Sequence, residues 1–143
     1  MFSKTCEYAI RALIYVAQQS KDGGRVGIKE ISSGIGSSEY FIAKILQDLS
    51  RKGLVQSAKG PNGGFYMDAN DLSQSVADIV REIDGDKLFS GCGFGLHECS
   101  EDHPCPIHDR FKHVRQHMKE MLENSRIHMF VENLDLKLTF LKE

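Results

Sequence analysis

Three of the chain's four cysteines fall within fourteen residues, and a histidine follows closely. Six residues separate Cys92 from Cys99, five separate Cys99 from Cys105, and two separate Cys105 from His108. Thiolate sulfur and imidazole nitrogen suit zinc or an iron–sulfur cluster. Structural zinc sites usually offer two tight Cys-x-x-Cys pairs. Here only Cys105 and His108 are close, so the spacing fits a bulkier iron–sulfur cluster better than zinc. Gly85, Gly91, Gly93 and Gly95 lie in the same stretch and would let the loop wrap a metal centre. Three incidental small hydrophobes is the weaker reading of such a group. His97 and His103 read as solvated loop residues. Cys6, among apolar neighbours, reads as packing. Glu7 sits where a carboxylate favours the positive end of a helix, and it could instead reach a metal centre on another subunit.

The elements that must position these residues follow from periodicity. The chain has 143 residues, 41% of them hydrophobic and 27% charged, which is the composition of an ordinary globular domain. No stretch approaches the roughly 18 apolar residues of a membrane span. The start lacks a basic region followed by an apolar run, so we expect a cytoplasmic protein with reduced thiols. The net charge of −2 conceals an asymmetry. Residues 1–67 carry nine Lys/Arg against five Asp/Glu, and residues 68–143 carry nine against fifteen. A basic first half hints at a polyanionic partner.

Residues 3–19 read as a largely buried helix, with Ala9, Ala12, Leu13 and Val16 among its apolar positions. A short helix over 28–33 is closed by Gly34, and a third runs from a Ser37 cap to about Lys52. The third helix carries an apolar stripe of Phe41, Ile42, Ile45, Leu46 and Leu49. Its other face shows Ser38, Tyr40, Ala43, Lys44, Gln47 and Arg51, and Gly53 closes it. Two helices around a short glycine-containing turn form a helix-turn-helix. Strands at 54–57 and 65–67 flank Lys59-Gly60-Pro61-Asn62-Gly63-Gly64, a basic, glycine-rich hairpin placed as a wing.

Another helix covers 73–83, capped by Ser73 or Ser75. Residues 84–109 have no sustained period, as expected of a functional loop. Over 106–126, Phe111, Val114, Met118 and Met121 follow the spacing of a coiled-coil seam, which favours packing on a partner subunit. The tail reads as a short helix with an extended end. The expected organisation is a winged DNA-binding domain (1–83), a cysteine loop (84–109), and a dimerisation helix with tail (110–143). The fold class is mainly α with a small β-wing.

These residues resemble the IscR/NsrR/CymR group of bacterial winged helix-turn-helix transcription regulators. The resemblance rests on Tyr8-Ala9-Ile10-Arg11-Ala12-Leu13, Phe41-Ile42-Ala43-Lys44-Ile45-Leu46, Arg51-Lys52-Gly53-Leu54-Val55, the wing from Lys59 to Phe65, and the cysteine loop. It implies a cytoplasmic homodimer that binds a double-stranded, pseudo-palindromic DNA operator. It implies that three loop cysteines hold an iron–sulfur cluster, with 2Fe-2S favoured and 4Fe-4S possible. The fourth ligand falls on His108 or on Glu7 of the partner subunit, and the two-residue gap after Cys105 favours His108. One departure is the six-residue gap between Cys92 and Cys99, where relatives usually have five. Ser38, Tyr40 and Lys44, with Gln47 behind them, would reach base edges. Arg51 and Lys59 would contact phosphate, and Gly60, Gly63 and Gly64 would let the wing backbone approach the duplex.

A regulator of the same fold without a cluster, sensing through cysteine oxidation or a small molecule, is the alternative. A zinc-stabilised protein-interaction module is less consistent with the basic first half. An enzyme is not indicated: no Ser-His-Asp arrangement, phosphate loop before a helix or His-Glu-x-x-His motif occurs.

Overall fold

The computed structural model describes residues 1–142. It is mainly helical with one two-stranded sheet. Helix α1 (Lys4–Ser20) is its axis, and the helices and wing strand that follow pack around it. Ala9, Ala12, Leu13, Val16 and Ala17 are buried there, and the small alanines let neighbouring helices come close. Ser3 caps α1 by accepting from the Cys6 amide at 3.0 Å.

Helix α2 (Ile28–Ile35) continues past the expected stop at Gly34. Gly34 instead lies against Tyr15, where a Cβ would come within 2.3 Å of the ring. Gly36 ends the helix in the left-handed conformation, φ 71°. The Ser37 amide donates back to Ser32 O at 3.0 Å, so Ser37 closes α2, and Ser38 caps α3 (Glu39–Arg51) in its place. Ile42, Ile45, Leu46 and Leu49 form the buried face of α3. Phe41 is half-buried, edge-on to Tyr8 at 5.1 Å.

Leu54, Val55 and Met67 are core residues, so the first wing strand begins two residues later than expected and the second ends one residue earlier. β1 (Gln56–Ala58) pairs antiparallel with β2 (Gly64–Tyr66), Ser57 opposite Phe65. Val26 adds an isolated rung to β2, exchanging backbone hydrogen bonds with Phe65 at 2.9 and 2.8 Å. Gly64 is required there: its φ is 143°, and a Cβ would lie 2.8 Å from Val26 O.

A single turn, α4 (Ala69–Leu72), precedes α5 (Val76–Asp84), which Ser75 caps in a reciprocal box with Asp78. Another single turn, α6 (Lys87–Ser90), lies inside the stretch expected to be irregular. Helix α7 (His108–Asn124) packs on α5 and α6 but fully buries only Leu122. The chain then turns sharply, with the Val76 amide donating to Ser125 O and the Ile127 amide to Gln74 O. Helix α8 (Ile127–Asp135) returns to α1, burying Ile127 and packing Phe130, Val131 and Leu134 on the core. Among the described residues, no helix is long and apolar enough to cross a membrane.

Because Ile127 is wholly buried, Ile127→Ala should destabilise the chain by about 2–5 kcal/mol. Urea denaturation checks this, and wild-type stability would show that α8 is not part of the core.

Candidate metal centre and nucleic-acid face

The cysteine segment leaves α6 through Gly91 and enters α7 at His108. Helix α7 fixes both ends. Arg115 Nη1 donates to Gly91 O at 2.8 Å, and the His108 amide donates to Cys105 O at 3.0 Å. Gly93 lies so close to Phe111 and Ile107 that a Cβ would meet either side chain at 3.0 Å. Between these anchors, Gly95 turns back onto Cys92 O, and Ser100 and His103 exchange backbone hydrogen bonds.

The result is a convergence of sulfur. The Sγ atoms of Cys92, Cys99 and Cys105 all lie within 4.8 Å of one another, with Cys92 and Cys105 at 3.6 Å. His108 joins them, its Nδ1 3.1 Å from Cys99 Sγ. Three soft thiols and an imidazole in one place fit an iron–sulfur cluster or a zinc ion by donor chemistry. His108 Nε2, on the other edge of the ring, is buried without a hydrogen-bond partner among the described residues. Glu7 is not part of this group in its own chain; it pairs with Lys4 at 3.1 Å. His97 and His103 border a hollow of about 550 Å³ outside Cys99 and Cys105.

The thiols differ in acidity. Cys92 is lowered to about 7, chiefly by a backbone hydrogen bond from Leu96 and then by one from Phe94, whose amide lies 3.4 Å from the sulfur. Cys99 receives a backbone hydrogen bond from Cys105 that favours its thiolate, but burial and its neighbouring thiols outweigh this and raise it. Cys6 is pushed up to about 12 by burial, with Asp84 and Glu7 adding to the effect. Cys6 is therefore an inert packing residue. Glu101 is held below the usual carboxylate range by Lys112 and then by His108. The environment of Glu101 was not apparent in the sequence, although Lys112 lies one helical turn after His108.

The expected DNA-contacting side chains lie on the outer face of α3 and on the wing. Tyr40 is 75% exposed, and the Lys44 ammonium stands 5.3 Å over its ring. Gln47 and Arg51 line a groove with Ser50, Ser57 and Phe65, between α3 and the wing. Arg51 donates to Asp48 at 2.9 Å. Ser38 Oγ accepts from the Phe41 amide at 3.3 Å, so its first task is capping. Lys59 and Gly60 are exposed at the hairpin, while Gly63 and Gly64 are half-buried where it closes. Sequence reasoning missed Arg25, which stands 5.0 Å over the Tyr66 ring beside the Val26 rung. An isolated rung has no strand period to reveal it.

Residues 2–133 match the model of the Rrf2 family, described as iron-dependent transcriptional regulators. An Aquifex aeolicus protein named as an HTH-type transcriptional regulator is 32% identical over 130 residues, covering 89% of this chain and 88% of its own. The regulator IscR of Yersinia pseudotuberculosis is 26% identical over 129 residues, covering 90% of this chain and 77% of its own. The structure of CymR, the global cysteine regulator of B. subtilis, superposes with a TM-score of 0.74 at 21% identity, covering 92% of this chain and 96% of that one. T. potens IscR superposes at 0.70 and 20% identity, covering 97% and 91%. The helix-turn-helix, the wing and the sequence match agree: the chain belongs to the Rrf2 family of DNA-binding transcriptional regulators.

Proposed function

We propose that this regulator is a homodimer that senses redox, nitric oxide or iron–sulfur status through a cluster held by Cys92, Cys99, Cys105 and His108, with 2Fe-2S favoured over 4Fe-4S. The convergence of three sulfurs within 4.8 Å carries the reading. His108 is favoured over Glu7 of the partner subunit as fourth ligand because its Nδ1 already stands beside Cys99. When bound, the group supplies one-electron redox chemistry and reactivity toward oxidants and nitric oxide. The protein's part is to hold the four donors and to transmit their order or disorder. Arg115 and Phe111 on α7 anchor the loop, so rearrangement of Cys92–Cys105 bears directly on that helix.

The α7 seam supports the dimer. Met118 packs within its own chain and Phe111 lies against Gly93, but Val114 and Met121 remain 59% and 54% exposed. A pair of crossing α7 helices would cover them and set the spacing of the two winged domains. On the DNA, Tyr40, Lys44 and Gln47, with the free hydroxyl proton of Ser38, would read base edges. Arg51 and Lys59 would contact phosphate while the wing glycines Gly60, Gly63 and Gly64 approach the backbone.

Anaerobic purification with a visible spectrum and iron, sulfide and zinc assays tests the cluster. The expected protein is brown, with matched iron and sulfide that disappear in Cys92→Ala and Cys105→Ala. A colourless protein holding stoichiometric zinc, or no metal after reconstitution, contradicts it. Met121→Glu should convert the dimer to a monomer in analytical ultracentrifugation; an unchanged dimer would place the interface elsewhere.

The 3.6 Å approach of Cys92 to Cys105 favours a second reading, in which the metal-free protein senses oxidants by forming a disulfide. Cys92 has the acidity this requires. Alkylation of the metal-free, reduced protein at Cys92 should rise about tenfold per pH unit below about 7 and then level off as the thiolate saturates. Cys6 should stay unmodified over the same range. Mass-spectrometric mapping reads both, and equal labelling of the two thiols would contradict the assignment.

A further inference from the structure

We propose that Glu101, steadied by Lys112, is the positioning residue that decides which nitrogen of His108 faces the three sulfurs. The inference rests on the reading of His108 as a ligand and extends it to residues outside the ligand set. The His108 side chain is 10% exposed and has two different edges. Nδ1 is 3.1 Å from Cys99 Sγ. Nε2 is buried with no hydrogen-bond partner among the described residues, and Glu101 Oε1 lies 3.5 Å from it. That separation is within ion-pair reach and slightly longer than a formed hydrogen bond. Glu101 is 65% exposed on a loop, so a small torsional adjustment closes the gap.

An ionised carboxylate only accepts hydrogen bonds. The nitrogen facing it must therefore carry the proton, or two acceptors would oppose each other in a buried place. A neutral imidazole has one N–H, so a proton on Nε2 leaves the Nδ1 lone pair directed at the sulfur group. The same Glu101 oxygen contacts Lys112 Nζ. Lys112 lies four residues after His108 on α7 and so shares its helix face. Glu101 comes from the loop between Cys99 and Cys105, so the contact also ties that loop to the helix. Asp109 is the other carboxylate nearby, within 4.8 Å of a His108 nitrogen and of Glu101. Outer partners of metal-bound histidines act in this way, fixing tautomer and ring orientation.

The test uses the full chain in two states. In the metal-free, reduced protein, long-range ¹H–¹⁵N NMR reads which nitrogen of His108 carries the proton. The wild type should hold the proton on Nε2. Glu101→Ala should shift it toward Nδ1 or a mixture, Lys112→Met should do so partly, and Glu101→Gln, which keeps an acceptor oxygen, should restore it. In the anaerobically reconstituted protein, a chelator challenge should strip iron from Glu101→Ala about 10- to 100-fold more readily than from wild type or Glu101→Gln. If His108→Ala loses iron while Glu101→Ala keeps wild-type tautomer and retention, the positioning role is overturned and the histidine ligand stands. A tautomer that follows Asp109→Asn instead of Glu101→Ala also overturns it. If His108→Ala retains iron with an unchanged spectrum, the ligand reading fails and takes this inference with it.

Discussion

Three thiols can share one pocket only if the segment between them is held from outside, because most of it makes no helix or sheet ladder. Ordering a backbone costs roughly 1–2 kcal/mol per residue. Here the restraint comes from α7. Arg115 grips Gly91 O, Phe111 covers Gly93, and the His108 amide holds Cys105 O. The first residue of α7, His108, stands beside Cys99. The same helix leaves Val114 and Met121 uncovered. One element thus anchors the loop, contributes a candidate ligand and presents the apolar face assigned to the partner.

From this helix, contacts run through α5 to α1 and to the end of α3. Arg81 on α5 donates to Glu123 on α7 at 2.9 Å and stands 4.3 Å over the Phe89 ring of α6. At the end of α5, Asp84 accepts from the Ser3 amide at 2.9 Å and so fixes the start of α1. Lys52, just past α3, donates to Glu82 O at 3.0 Å. Each joint is polar and partly exposed, and such contacts rearrange more readily than a packed core. The chain of contacts from loop to α3 is a physical adjacency; a difference in DNA affinity between two states of the loop is what would make it a coupling.

Much of this was legible in the sequence because strong local signals agreed with tertiary needs. The apolar stripe of α3 and the glycine-rich wing are strong local signals, and Cys92, Cys99 and Cys105 are near enough in sequence for one loop to bring them together. The misplacements have local causes. Gly34 resembled a helix stop but serves close packing on Tyr15. Ser37 and Ser38 are equivalent as caps until Ser37 is seen closing α2. The turn α6 is too short to show a period, and its place is set by Phe89 in the core. The return of α8 to α1 could not be read from its apolar residues, which fit several partners equally well. Glu101 and Lys112 carry no signal in the sequence, since only folding joins the Glu101 carboxylate to Lys112 and His108.

The central claim is that the state of the cysteine loop sets the geometry of the DNA-reading face. The most direct measurement is an anaerobic binding titration of cluster-loaded and cluster-stripped protein, at one salt concentration, against a duplex selected from a random pool. An allosteric coupling of ordinary size would separate the two affinities by about 5- to 150-fold, and Cys92→Ala should behave as the stripped form. Equal affinities for all three, with the cluster shown to be present in the first, would contradict the claim.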